Sequence, residues 1–210
     1  MPYCALIGTI DVTEIATREQ GAGVDGGRLD VGLGHTFPGA GSGSHRVVAE
    51  QIMDDALDTV LLRPDHALAS QRAIEPRELS NIPFLFIERD NYEELHDTVM
   101  SRLRAQGLEP LVNAGYDGLH TVWGLTAEGA GWTIGTHSQR LQPPSGLVGL
   151  PLSGVHLPLG VELRFRRGEN RPLVTHVLQL IRLHARTLDA QGDATTAHLN
   201  VASLKHAGGL

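Results

Sequence analysis

Residues 83–134 read PFLFIERDNYEELHDTVMSRLRAQGLEPLVNAGYDGLHTVWGLTAEGAGWTI, and strand and helix patterns alternate along this stretch. Residues 83–87 form a short apolar run, which is typical of a buried strand. Residues 91–106 carry apolar side chains at helical spacing, with Asn91 as N-cap and Gly107 just past the end. A second strand, a second helix that Asp117 could cap and a third strand follow at residues 111–114, 119–128 and 131–134. This alternation predicts an α/β protein with a largely parallel sheet.

Further strand patterns flank this stretch on both sides. They lie at residues 10–17, 29–33, 47–53 and 57–62 before it, and at residues 147–150 and 161–165 after it. Glycine-rich segments at residues 21–27 and 38–44 predict turns or loops. Residues 172–188 carry an apolar stripe and predict the longest helix. Residues 189–210 show no such stripe, so a loose tail is expected there.

The composition excludes several classes of protein. The chain has 210 residues, of which 41% are hydrophobic and 20% charged, and this excludes the disordered and membrane classes. A single cysteine excludes a disulfide framework and a multi-thiolate zinc site. The net charge of −7 argues against a nucleic-acid surface spread over the whole chain. The first residues lack the pattern of a signal peptide, so a cytoplasmic location is expected.

Motifs for cofactors, metals and catalysis are weak. Residues 21–26 match G-x-G-x-x-G, but an apolar strand pattern follows where a nucleotide-binding turn needs a helix. A chance match among 25 glycines is therefore the better interpretation. The 11 histidines are scattered without zincin spacing, and no G-x-S-x-G elbow is present. We expect no catalytic residue, no metal and no cofactor.

Two charged clusters have both a functional and a structural interpretation. Asp54 and Asp55 are adjacent, so their side chains point apart and are expected to be solvated rather than to share a proton. Arg164, Arg166 and Arg167 lie at the end of a predicted strand. They could hold an anion, and they could equally charge an exposed sheet edge against aggregation.

The remaining functional signal is positional. In open α/β sheets, ligands bind where the carboxyl ends of strands meet the starts of helices. Three segments fit this description, namely residues 34–36, 89–91 and 117–121. Helix N-termini present free N–H groups and the positive end of the helix dipole, which favour a small anion such as a carboxylate. Ordinary loops with helix caps would show the same pattern.

The order and spacing of several segments resemble the effector-binding domain of LysR-type transcriptional regulators. These segments are GRLDVGL at 27–33, LDTVLLRPDHALA at 57–69, IEPREL at 74–79, GLEP at 107–110, VWGLTAEGAGWTI at 122–134 and VGLPL at 148–152. Each is weak alone, but their succession covers most of the chain. Where the family usually has a proline at a strand end, this chain has Gly135 and Thr136.

The resemblance implies a two-lobed, periplasmic-binding-protein-like (type 2) fold, truncated at its N-terminus. The first lobe would comprise residues 1–82 and 149–188, and the second lobe residues 83–148. A small organic acid, aromatic or dicarboxylic, would bind between the lobes. The residues expected by position to contact this effector are His35, Thr36, Asp90, Asn91, Tyr92, Gly118, Leu119, His120 and Thr121.

The resemblance also implies a function without chemistry of its own. Family members begin with a winged helix-turn-helix, and no such segment precedes the matching run here. We therefore expect a truncated effector-sensing domain that reaches DNA only through a domain absent from this chain. It would form a homodimer or tetramer and have no membrane partner. The alternatives are a free-standing solute-binding protein of the same architecture, which would need an export signal, and an enzyme, which no motif supports.

Overall fold

The computed structural model describes residues 9–13, 15–37 and 44–204, without the side chains of Asn91, Asn113 and residues 189–204. Its strands are β1 (Val31–Thr36), β2 (Val47–Leu62), β3 (Pro83–Ile87), β4 (Leu111–Tyr116), β5 (Thr133–Thr136), β6 (Val148–Pro151) and β7 (Leu157–Arg166). Its α-helices are α1 (Thr17–Asp25), α2 (Glu93–Ala105), α3 (Leu119–Ala127), α4 (His137–Leu141) and α5 (Pro172–Leu204). Short 3-10 helices lie at Ala67–Ser70, Pro76–Leu79 and Arg89–Asn91.

The chain divides into two compact units. The first contains the described residues up to Asp54 and from Gly160 onward, and the second contains Asp55–Leu159. These bounds differ from those of the predicted lobes. Both β2 and β7 contribute residues to each unit, because the divisions fall within these two strands.

The first unit is built on the antiparallel pair of β1 and β7, in which Val31 lies opposite Phe165. Helix α5 covers this pair through a small apolar core. The buried members of the core are Leu163, Val174 and Leu178, and the half-buried Val31, Ile52, Phe165 and Ile181 pack against them. The predicted strand at residues 161–165 is confirmed within the longer β7.

The glycine-rich segment before β1 is a helix, so the turn predicted at residues 21–27 is wrong. The strand predicted at residues 10–17 is wrong as well, because α1 begins at Thr17 and the described residues before it are not in a strand. The glycines let α1 pack closely on β1. A methyl group at Gly23 would lie 2.8 Å from Leu29 Cδ1, and one at Gly32 would lie 2.7 Å from Gln20 Oε1.

Three other predictions need correction. The two strands expected at residues 47–53 and 57–62 are the single strand β2, since no glycine or proline interrupts the segment between them. Helix α5 continues to Leu204, where a loose tail was expected, and the four alanines between residues 190 and 202 favour a helix there even without an apolar stripe. The sheet is not largely parallel, because β1–β7, β2–β5 and β2–β6 are all antiparallel. The loop predicted at residues 38–44 lies mostly outside the described residues.

The second unit centres on the second half of β2, which pairs antiparallel with both β5 and β6. Its residues Val60, Leu61 and Leu62 are fully buried. Strands β3 and β4 form a separate parallel pair, as the alternation of strands and helices predicts.

Trp132 joins the parallel pair to β5. It is fully buried, and its ring centre lies 4.4 Å from that of Phe84. The backbone N–H of Leu85 donates to the Trp132 carbonyl at 2.9 Å, and the Trp132 N–H donates to the Pro83 carbonyl at 2.9 Å. This short bridge is parallel. The carboxyl end of β5 therefore lies at the same edge of the second unit as those of β3 and β4.

Candidate functional site

The carboxyl ends of β3, β4 and β5 define the candidate site, which we call the carboxyl edge of the second unit. At this edge Ile87 pairs with Tyr116. The pairing continues one residue further, because the Glu88 N–H donates to the Tyr116 carbonyl at 2.9 Å. A 3-10 turn and α2 follow β3, α3 follows β4, and α4 follows β5. Three helix starts therefore belong to one edge, and parallel strand direction is the reason.

The turn after β3 contains the predicted residues Asp90, Asn91 and Tyr92. Asp90 is exposed, and Tyr92 precedes α2 as its N-cap without a side-chain hydrogen bond. Asn91 was expected to cap this helix, but it belongs to the 3-10 turn, so that detail is wrong.

Arg89 links this turn to α2 through hydrogen bonds. Its Nε and Nη2 donate to the two carboxylate oxygens of Asp97 at 2.8 and 2.7 Å, and Nη2 also donates to Glu93 at 2.9 Å. The hydrogen bonds from Arg89 lower the pKa of Asp97 to about 2. The carboxylate therefore stays ionised at neutral pH, and the Arg89 guanidinium remains bound to α2.

The loop after β4 places Gly118 at the N-cap of α3, and the predicted residues Leu119, His120 and Thr121 form the first turn. No side chain caps this helix, so the expectation that Asp117 does so is wrong. A methyl group at Gly118 would meet nothing within 4 Å, which shows open space above the helix start. The ring of His120 packs edge-on against Trp123, with 5.0 Å between the ring centres.

The loop after β5 carries a polar cluster that the sequence did not predict. Thr136 caps α4, since its hydroxyl accepts from the Gln139 N–H at 3.3 Å and its own N–H donates to Gln139 Oε1 at 2.9 Å. The carboxylate of Asp55 on β2 accepts from the Ser138 N–H at 3.2 Å and from its hydroxyl at 2.7 Å. Asp55 is therefore a structural anchor rather than a solvated surface carboxylate. Asp54 beside it is exposed, as predicted.

His35 and Thr36 lie in the first unit, at the carboxyl end of β1. His35 pairs with Val161 and is exposed, whereas Thr36 pairs with Gly160 and is buried. The structure therefore gathers seven of the nine predicted residues at the carboxyl edge of the second unit, and places the other two at a strand end of the first.

Strand β7 does not form an exposed edge, because it lies between β1 and β2 in the sheet. Arg164 is buried; its Nη1 donates to the Thr17 carbonyl at 2.6 Å, and its Nη2 donates to Glu162 at 2.9 Å. Arg167 donates to the His45 carbonyl at 2.8 Å. The guanidinium groups of Arg164 and Arg167 hold α1 and the segment before β2, so the edge role predicted for these arginines is wrong, whereas the anion-binding role stays a prediction.

Within the described ranges, no group of three or more His, Cys, Asp or Glu side chains is arranged to hold a metal ion. Across the same part of the chain, no helix is both long and apolar enough to span a bilayer. The carboxyl edge offers backbone N–H groups, hydroxyls and carboxylates, and this set of groups is suited to binding a small polar molecule.

Comparison with known proteins gives a family match over most of the chain. The model of the LysR substrate binding domain matches residues 9–186. An uncharacterized HTH-type transcriptional regulator of Escherichia coli K12, YnfL, is 27% identical over 125 residues, which cover 60% of this chain and 40% of YnfL. The chain thus spans less than half the length of this curated relative.

Solved structures of similar fold agree with the family match. The crystal structure of CbnR, a LysR family transcriptional regulator, matches with a TM-score of 0.62 at 17% identity over 85% of this chain and 58% of CbnR. The effector binding domain of a BenM variant matches with a TM-score of 0.60 at 18% identity, over 84% of this chain and 80% of that structure. At these identities the likeness shows the fold.

Proposed function

The chain belongs to the LysR substrate-binding domain family, and we propose that it senses a small organic acid at the carboxyl edge of its second unit. Its fold is accordingly the periplasmic-binding-protein-like (type 2) fold of LysR effector-binding domains. The family is one of transcriptional regulators, so the domain would bind its ligand without transforming it.

One observation carries the proposal, namely that two helices begin uncapped at the same sheet edge. Neither Tyr92 at the start of α2 nor Gly118 at the start of α3 makes a side-chain capping bond. The first N–H groups of each helix have no partner within the helix, and the helix dipole adds positive potential there. A carboxylate is the kind of acceptor that these groups favour.

The open space above Gly118 supports the same conclusion. A ligand can approach the backbone closely where no Cβ is present, and a methyl group at this position would contact nothing within 4 Å. The exposed Leu119 and the His120–Trp123 ring pair offer apolar contacts beside the N–H groups. This combination suits an aromatic or a short dicarboxylic acid. The proposed contacts are Asp90, Asn91, Tyr92, Gly118, Leu119, His120 and Thr121, to which the family resemblance adds His35 and Thr36.

The wider role follows from the relatives. We propose that effector binding shifts a population between two assembly states of a homodimer or tetramer, as a ligand with different affinity for two states must do. DNA contact would be made by a helix-turn-helix, and the domain would act in the cytoplasm, where such regulators meet DNA.

Isothermal titration tests the proposal directly. Benzoate and succinate are titrated into the chain, and benzamide and succinamide serve as matched neutral controls. Saturable heat from at least one acid, and none from its amide, is the expected result. An absence of heat from both acids at millimolar concentration contradicts effector sensing, and equal binding of an acid and its amide contradicts the carboxylate assignment.

A further inference from the structure

The imidazole of His137, the first residue of α4, has two partners with opposite requirements. Its Nδ1 lies 3.2 Å from Asp58 Oδ2 and 2.6 Å from Arg140 Nη2. A carboxylate oxygen needs a proton on Nδ1, whereas a guanidinium N–H needs the lone pair of that nitrogen. One nitrogen cannot meet both requirements at once, so the two contacts belong to two states of the ring that differ in whether Nδ1 carries a proton.

The side chains around His137 are held in place by bonds that do not involve the ring. Asp58 Oδ1 accepts from the Thr59 hydroxyl at 2.7 Å. The helix start is held to β2 by Asp55, which accepts from both the N–H and the hydroxyl of Ser138. A methyl group at Gly149 of β6 would lie 2.7 Å from the Cα of Arg140, so the backbone of α4 lies tightly over β6. The Asp58 carboxylate and the start of α4 are therefore held by contacts other than the one between His137 and Arg140.

The charged groups facing the ring come from two elements. Asp58 contacts the ring from β2 and Arg140 contacts it from α4 itself, while Asp55 on β2 binds the neighbouring Ser138. Strand β6 contributes no titratable residue. The three side chains that would respond are partly buried, with exposed fractions of 34% for His137, 16% for Asp58 and 22% for Arg140. Their interactions are therefore less screened than those of a surface pair.

We propose that His137 is a protonation switch at the start of α4. In the neutral state Nδ1 is unprotonated and accepts from Arg140, which also lies 3.8 Å from Asp58 Oδ1 through its Nη1. When the ring is protonated, Nδ1–H donates to Asp58 Oδ2. Arg140 then faces a donor and a like charge, and its guanidinium leaves the ring. Histidine is the side chain whose charge ordinarily changes between about pH 5 and about pH 8.

The switch acts at the carboxyl edge, because α4 begins where β5 ends. Acidification adds one charge on His137 and detaches the Arg140 guanidinium from it, while the Asp55–Ser138 anchor keeps the helix start in place. The device therefore changes the electrostatics of this edge without unfolding it. It does not depend on the identity of any effector.

Nitrogen-15 NMR of the whole chain tests the switch through the imidazole of His137 and the guanidinium of Arg140. At about pH 8 the expected spectrum shows His137 protonated on Nε2 and bare on Nδ1. The Arg140 guanidinium signals are expected to move as the pH falls to about 5. His137→Gln should abolish that movement, whereas His156→Gln, at an exposed histidine of the same unit, should preserve it.

Three outcomes would overturn the proposal. They are a proton on Nδ1 of His137 at the higher pH, Arg140 signals that do not change over the range, and Arg140 signals that still move in His137→Gln. If His137→Gln does not fold, the tautomer and the Arg140 signals of the unmodified chain decide the question.

Discussion

Replacing Gly118 with aspartate should stabilise the domain and at the same time block its proposed effector site. Gly118 is the N-cap of α3, with φ −154° and ψ 157°, an extended conformation that any residue adopts. A Cβ there meets nothing within 4 Å, so the substitution carries no steric cost. The new carboxylate would accept from the first N–H groups of α3, which are the groups that we assign to the effector.

The gain in the free energy of unfolding has three sources. An aspartate cap exceeds a glycine cap by a few tenths of a kcal/mol. Restricting the unfolded chain adds roughly 0.4 to 1 kcal/mol, and the interaction with the helix dipole adds roughly 0.3 to 1 kcal/mol. Because the loop is exposed and Asp117 precedes it, we expect the low end of this sum, about 1 kcal/mol. For a chain of this size that corresponds to a rise in Tm of about 2 to 4 °C.

Urea unfolding and isothermal titration with benzoate and succinate measure the two effects separately. Gly124→Ala is the matched control, because Gly124 lies within α3, also faces open space and gains about 1 kcal/mol of helix propensity. Both variants should be more stable, and only Gly118→Asp should lose affinity for the acid. Destabilisation by Gly118→Asp would show that the α3 N–H groups do not gain a cap, and unchanged acid affinity in that variant would show that the acid does not bind them.

Three more predictions concern stability. Trp132→Ala should lower the free energy of unfolding in urea by roughly 3 to 5 kcal/mol, because Trp132 is fully buried. Trp123→Ala, at a half-buried site, should lower it clearly less, and equal losses would contradict this. Arg164→Met should cost about 3 kcal/mol, the low end for breaking a buried ion pair, because it leaves the half-buried Glu162 carboxylate without its buried partner. An unchanged stability would contradict this role of Arg164. The hydrogen bond from Arg171 lowers the pKa of Glu169 from 4.5 to about 2. The contribution of the ionised Glu169 carboxylate to the free energy of unfolding is therefore complete above pH 4.5 and is lost as the pH falls toward 2. Glu169→Gln should make the free energy of unfolding fall less steeply between pH 4.5 and about 2. An unchanged pH dependence in this variant would contradict the prediction.

Local pattern was a reliable guide where the apolar residues of a segment form a clear run or period. Strand β3 has the predicted bounds, and α2, α3 and α5 begin within two residues of their predicted starts. In each of these segments, the apolar residues of the segment itself form the face that becomes buried. Pattern failed for α1, because two glycines in a short segment usually indicate a turn. Here Gly21 and Gly23 are buried, and Gly23 lies against Leu29, just before β1; that contact is not visible in local propensity.

The candidate site was predictable in part for a related reason. Residues 89–92 and 118–121 follow strand patterns, and strand direction alone brings such segments to one edge. The cluster at the start of α4 was not predictable, because it joins Asp55 to Ser138 across 83 positions of sequence. Helix α4 has only five residues and shows no period. Side chains that meet through the register of β2 and β5 can be found only once that register is known.

Effector binding at the carboxyl edge is best tested by mapping amide chemical shifts during a titration with benzoate. We expect saturable shifts concentrated at residues 89–92 and 118–121, where the helices of the carboxyl edge begin. Shifts that are absent at millimolar benzoate and succinate, or that cluster elsewhere in the chain, would contradict it.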